Sequence, residues 1–189
     1  MKFLYFEASF NVKEYIFPII EIFSPSINII KYDETEQSLI IYFHDTDISL
    51  QETVESFASD LYFQSFRVYE SISYPNIEKT IKAALAITRL LKKIPYKDVY
   101  INNKIVLSRQ IEHVDKDLKE LVLNDYYEDF EMYKTIKVFL ENNQNASIAS
   151  KKLYLHRNTL NQRLEKFHLN TEFNVKEFTD AYLIYRIIK

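Results

Sequence analysis

None of the 189 residues is glycine, and this absence constrains the backbone before any other feature does. Average usage near 7% would give about a dozen. Glycine alone enters the left-handed backbone region without steric cost, so every position that needs positive φ must use the next-best residue, usually Asn. Asn102-Asn103, between Val99-Tyr100-Ile101 and Ile105-Val106-Leu107, reads as a hairpin turn of this kind. Asn142-Asn143, after Phe139-Leu140, reads as a helix cap. The chemistry is constrained as well, because glycine-rich phosphate loops, dinucleotide fingerprints and glycine-flanked nucleophile elbows are all ruled out. Cysteine is also missing, which removes disulfides, thiol nucleophiles and thiolate metal sites. The abundance of Ile, Lys, Asn, Tyr and Phe is what an AT-rich genome would encode.

A chain of this length holds one large or two small domains and can bury a real core. Residues 2–7 read as a strand, and Val12 to Phe23 as a helix bent or interrupted at Pro18. Two apolar β-branched runs, Ile27–Tyr32 and Leu39–Phe43, flank the polar turn Asp33–Gln37 and predict a hairpin. Ser49 with Glu52 predicts a capping box and a helix to about Leu61, and Phe66–Ile72 a further strand. The order β-α-β-β-α-β implies a ferredoxin-like or cyclase-like open sheet. Pro75-Asn76 opens a helix through Ala83, Ala84 and Leu91 to Lys93. From Glu112 the chain turns helical, with a long helix over Tyr127–Asn142. The expected fold is therefore α+β, with a small α/β sheet domain over residues 1–110 followed by an all-α domain over 111–189.

Net charge is −3 overall but unevenly spread. Residues 133–189 carry 10 Lys+Arg against 5 Asp+Glu, whereas residues 1–132 carry 14 against 22. A basic end on an acidic remainder points to a local nucleic-acid footprint. Glu7 and Glu14 interrupt the N-terminal apolar run before it could serve as a signal peptide. No apolar run approaches the roughly 20 residues that span a bilayer. A cytoplasmic protein without membrane contact is expected.

The basic end contains Ser150-Lys151-Lys152-Leu153-Tyr154-Leu155-His156-Arg157-Asn158-Thr159-Leu160-Asn161-Gln162-Arg163-Leu164. It reads as two short helices joined by a tight turn, a helix-turn-helix at about residues 147–167. Stepping 100° per residue from Leu160 places Leu164 and Phe167 on one buried stripe. Asn158 and Gln162 fall opposite, with Asn161, Glu165 and Lys166 beside them, and Arg157, Thr159 and Arg163 on the flanks. Asn and Gln can each donate and accept, which suits adenine edges, while Arg and Lys neutralise phosphates or read guanine. Ala149 and Ser150 are small where a close helix crossing needs them. Read blandly, the same spacing is a solvated amphipathic helix.

The string Leu153 to Leu160, with Arg163-Leu164, resembles the C-terminal DNA-binding domain of PucR/CdaR-type bacterial transcription regulators, and more distantly the Fis-type helix-turn-helix. The resemblance extends over roughly residues 127–189. Ser150 stands where that family usually has Ala, and Gln162 replaces a common aromatic. It implies that Arg157, Asn158, Thr159 and Arg163 belong to the recognition helix and its entry, and that a degenerate cyclase-like domain precedes it.

Other clusters carry weaker arguments. His44-Asp45-Thr46-Asp47 and His113 with Glu112 and Asp115 lack partner ligands at matching spacing, so they read as polar connections. Asp125, Glu128, Asp129 and Glu131 read as a helix start, where negative charge favours the N-terminal dipole. The 15 Tyr and 14 Phe sit inside apolar runs and read as core. No catalytic, metal or cofactor site is expected. The chain reads as a sequence-specific DNA-binding transcription regulator acting on double-stranded DNA as a homodimer, with room for a small-molecule effector. The expected DNA-binding residues are Lys151, Lys152, His156, Arg157, Asn158, Thr159, Asn161, Gln162, Arg163 and Lys166. The alternative is a protein-interaction module on the same scaffold, binding another regulator or the transcription machinery.

Overall fold

A computed structural model describes residues 1–46, 48–60, 65–96 and 98–189. They group into two compact units, 1–106 and 107–189. The first is built on a five-stranded sheet and the second is helical, so the expected α+β architecture is found.

The sheet comprises β1 (Lys2–Ala8), β2 (Ile29–Glu34), β3 (Ser38–Phe43), β4 (Phe66–Glu70) and β5 (Tyr100–Ile101), in the order β2-β3-β1-β4-β5. The first four strands pair antiparallel, with Phe3 opposite Tyr42 and Tyr5 opposite Tyr69. β3 thus lies between β1 and β2, the split β-α-β of a ferredoxin-like sheet. β1 is central and buried on both faces, which explains why its sequence runs apolar rather than alternating. Leu4 and Phe6 point to a core shared with Ile19 and Phe23 of α1 (Ile16–Phe23) and Val54 and Phe57 of α2 (Gln51–Asp60). Phe3 points the other way and meets Tyr69 with ring centroids 5.6 Å apart.

Several local expectations are refined. The helix expected over Val12–Phe23 is a short 3-10 turn, Val12–Tyr15, followed by α1. Pro18 is accommodated in the first turn of α1, where a missing N–H leaves no intrahelical bond unmade. Ser49 Oγ caps α2 by accepting from Gln51 N–H at 3.4 Å. Leu61, the expected end of that helix, lies outside the described residues, as does Asp47 of the His44 cluster.

One expectation fails. Asn102-Asn103 is not a hairpin turn: β5 pairs parallel with β4, and α4 (Asn103–Gln110) follows at once. Asn102 Oδ1 accepts from Ile105 N–H at 3.1 Å, so the side chain starts a helix. The free edge of β4 takes Tyr100-Ile101 as a partner, which leaves Ile105–Leu107 to be buried as a helix.

β4 also supplies Arg67, whose side chain is 2% exposed. Its Nε and Nη2 donate to Glu7 Oε2 at 2.8 and 2.6 Å. Nη1 and Nη2 donate to the carbonyls of Ile94 and Leu91, both at 2.7 Å, at the end of α3 (Ile77–Leu91). The guanidinium therefore ties the sheet to the negative end of a helix dipole.

In the second unit, α5 (Lys116–Leu123) is capped by Asp115 and α6 (Phe130–Glu141) by Asp129. Asp129 thus caps the helix start read from the sequence, and Asp115, read there as part of a polar connection, caps a helix as well. α7 (Ala146–Lys152), α8 (Arg157–Thr171) and α9 (Phe178–Ile188) complete it. Ile136, Phe139, Leu160, Phe167, Phe173 and Ile184 form its buried centre.

Candidate nucleic-acid interface

The candidate site comprises α7, α8 and the turn between them. Asn145 opens α7 by accepting from the N–H groups of Ser147 and Ile148 at 3.0 and 3.1 Å. Ala149 and Ser150 are buried, as the close crossing of α7 and α8 demands. The Ser150 hydroxyl donates to Ser147 O at 3.2 Å, so its departure from the family's Ala leaves no buried polar group unmet.

The turn covers residues 153–156. Leu155 N–H bonds Ser150 O at 2.9 Å and Tyr154 N–H bonds Lys151 O at 3.2 Å. This is the paired pattern of a Schellman cap, with Tyr154 at the left-handed position (φ 55°). α6 ends in the same way: Gln144 N–H reaches Phe139 O and Asn143 N–H reaches Leu140 O, with Asn143 at φ 54°. Asn143 thus takes the place a glycine would fill.

α8 then presents its faces as the spacing predicts. Leu160, Leu164 and Phe167 are buried, and Phe167 packs on Tyr126 with centroids 5.3 Å apart. Asn158, Gln162, Glu165 and Lys166 are exposed on the opposite side. Arg157, at the helix start, is exposed, and so are Lys151 and Lys152 in the last turn of α7. Thr159 is half-buried on its flank, and Asn161, expected beside Asn158 and Gln162, is half-buried too, because it lies only about 100° from the buried Leu160. His156 occupies the N-cap position with extended backbone (ψ 144°), but its side chain makes no capping bond, and it is exposed.

Arg163 differs from the others. It is half-buried, and its Nη1 donates to Thr135 Oγ1 on α6 at 3.1 Å. Helical spacing put Arg163 on a flank, but spacing does not reveal which neighbouring helix that flank meets. The helix also runs one turn beyond Phe167, to Thr171, whose hydroxyl donates to Phe167 O at 2.7 Å. Glu172 closes it in the left-handed region (φ 64°).

The arrangement is a short helix bracing a second one, whose outer face carries amides and cations. Residues 132–187 match the family model of the PucR C-terminal helix-turn-helix domain. This segment is a PucR C-terminal helix-turn-helix domain. Three similar proteins are from Bacillus subtilis, two of them transcriptional activators. An uncharacterized protein, YxkF, is 38% identical over 78 residues, 39% of this chain and 26% of its own length. The proline-responsive transcriptional activator PutR is 29% identical over 119 residues, covering 60% of this chain and 29% of PutR. The DNA-binding transcriptional activator AdeR is 28% identical over 138 residues, covering 65% and 31%. The chain thus spans about a quarter to a third of the length of these relatives. Among solved structures, a regulator of polyketide synthase expression from Bifidobacterium adolescentis aligns with 97% of this chain and 76% of its own, at 13% identity and a TM-score of 0.45. No helix among the described residues is long and apolar enough to cross a membrane.

Proposed function

We propose that the protein is a sequence-specific DNA-binding transcription regulator that lays α8 in the major groove. The observation that carries this reading is the exposed row Asn158, Gln162 and Lys166, set opposite the buried Leu160, Leu164 and Phe167 and braced by α7. Amide side chains placed this way can pair bidentately with adenine edges, and the cations around them meet phosphates. Lys151, Lys152, His156, Arg157, Thr159 and Asn161 border that row, and Arg163 serves by positioning α8 against α6. One such helix reads only a few base pairs. A homodimer spanning two half-sites about 34 Å apart supplies the rest. The sheet unit is assigned to dimerisation, effector sensing or both, in the cytoplasm and without a catalytic role.

The test is selection from a random duplex pool. The wild-type chain should enrich a defined motif, and Asn158→Ala and Gln162→Ala should each relax it at separate positions, by about 1–3 kcal/mol of discrimination. Enrichment of no motif by the wild type would overturn the reading.

A further inference from the structure

Tyr154 is the least expected residue of the interface. It holds φ 55°, a backbone region that costs a non-glycine residue stability and that a bulky aromatic side chain rarely occupies. The two cap bonds hold the backbone there, but they ask for no aromatic side chain, and Tyr154 is 97% exposed. Among the described residues its ring joins no aromatic pair and its hydroxyl no hydrogen bond. The lack of glycine does not account for it either. Five described residues have positive φ: Asn124 and Asn143 are asparagines, which tolerate that region better, Gln144 and Glu172 are polar, and of the five Tyr154 alone is aromatic. Nothing in the fold explains why an aromatic stands at 154.

Its surroundings offer an explanation. Lys151 and Lys152 on one side and His156 and Arg157 on the other are all exposed within three residues of it. A phenol there stands among the cations that meet the DNA backbone, and tyrosine hydroxyls donate readily to phosphate oxygens. We propose that Tyr154 is a DNA-contacting residue: its hydroxyl donates to a backbone phosphate and its ring covers the adjoining deoxyribose. This rests on the reading of α8 as a groove-reading helix. It adds an anchor on the turn, so that α8 is fixed at its N-terminal end as well as along its face.

Because phosphate contact is independent of sequence, the experiment uses a fluorescein-labelled duplex of arbitrary sequence at low salt, with melting temperature measured on the same samples. Tyr154→Gly and Tyr154→Asn should fold and melt a few degrees higher than wild type, since the left-handed cap then suits the residue. Both should bind on the order of tenfold more weakly. Tyr154→Phe should melt like wild type and bind with intermediate affinity. Stability and affinity thus move in opposite directions, which a structural role would not produce. If the glycine variant binds within about twofold of wild type, or melts lower, the proposal is overturned while the assignment of α8 stands. If wild type binds no duplex, both fall.

Discussion

The salt dependence of duplex binding can be worked out from the exposed cations of the helix-turn-helix. Lys151, Lys152, Arg157 and Lys166 are exposed around the reading face, while Arg163 is half-buried with Nη1 on Thr135 Oγ1. If each exposed cation neutralises one phosphate, the slope of log K against log salt is about −0.9 per contact, hence roughly −3.6 per protomer and twice that for a dimer. Between about 50 and 200 mM salt, a protomer then loses roughly 150-fold in affinity. Lys166→Gln should flatten the slope by about 0.9 per protomer, and Lys151→Gln with Lys152→Gln together by about 1.8.

Arg163→Met is the informative contrast. It removes a charge of the same sign from the same helix, so simple counting would flatten the slope by another 0.9. The hydrogen bond to Thr135 predicts otherwise: the slope holds, and the helical unit loses about 1.5–3 kcal/mol, the value of one hydrogen bond to a charged group. Fluorescence anisotropy across a salt series gives the slopes, and urea denaturation followed by circular dichroism gives the stability. A slope that flattens for Arg163→Met but not for Lys166→Gln would refute the assignment of which cations face DNA.

Two further outcomes concern the sheet unit. Arg67→Met should cost about 1.5–3 kcal/mol in urea denaturation, because it removes the buried guanidinium from the part-exposed Glu7 carboxylate and from the Leu91 and Ile94 carbonyls; a loss below about 1 kcal/mol would show the pair to be dispensable. In alkali, the Tyr5 and Tyr42 hydroxyls have pKa values pushed up from 10 to about 12, by burial first, then by the charges of Glu7 and Asp33 respectively. Since the folded state holds these protons more tightly, their contribution is fully present below pH 10 and is lost as pH rises towards 12. Stability should fall by a few kcal/mol over that window, and a flat stability profile would contradict the assignment.

What could be read in advance separates along a physical line. The faces of α8 follow from a fixed angle per residue, so Leu160, Leu164 and Phe167 could be assigned to the core and Asn158 and Gln162 to the surface from the string alone. The hairpin of β2 and β3 and its polar turn were legible for a similar reason, because the signal lies within a dozen residues. Asn102-Asn103 carried an equally local signal and misled, because its outcome depended on the distant edge of β4. Arg67 and Arg163 share that dependence: a charged residue in a strand or on a helix flank reads as surface, and only tertiary structure brings Leu91 and Ile94 to one and Thr135 to the other. Tyr154 is a third case, since its motif was visible but its left-handed backbone was not. Once the chain lacks glycine, the residues it places at positive φ become informative. Asparagine there satisfies the backbone at low steric cost, whereas an exposed tyrosine requires a reason outside the fold.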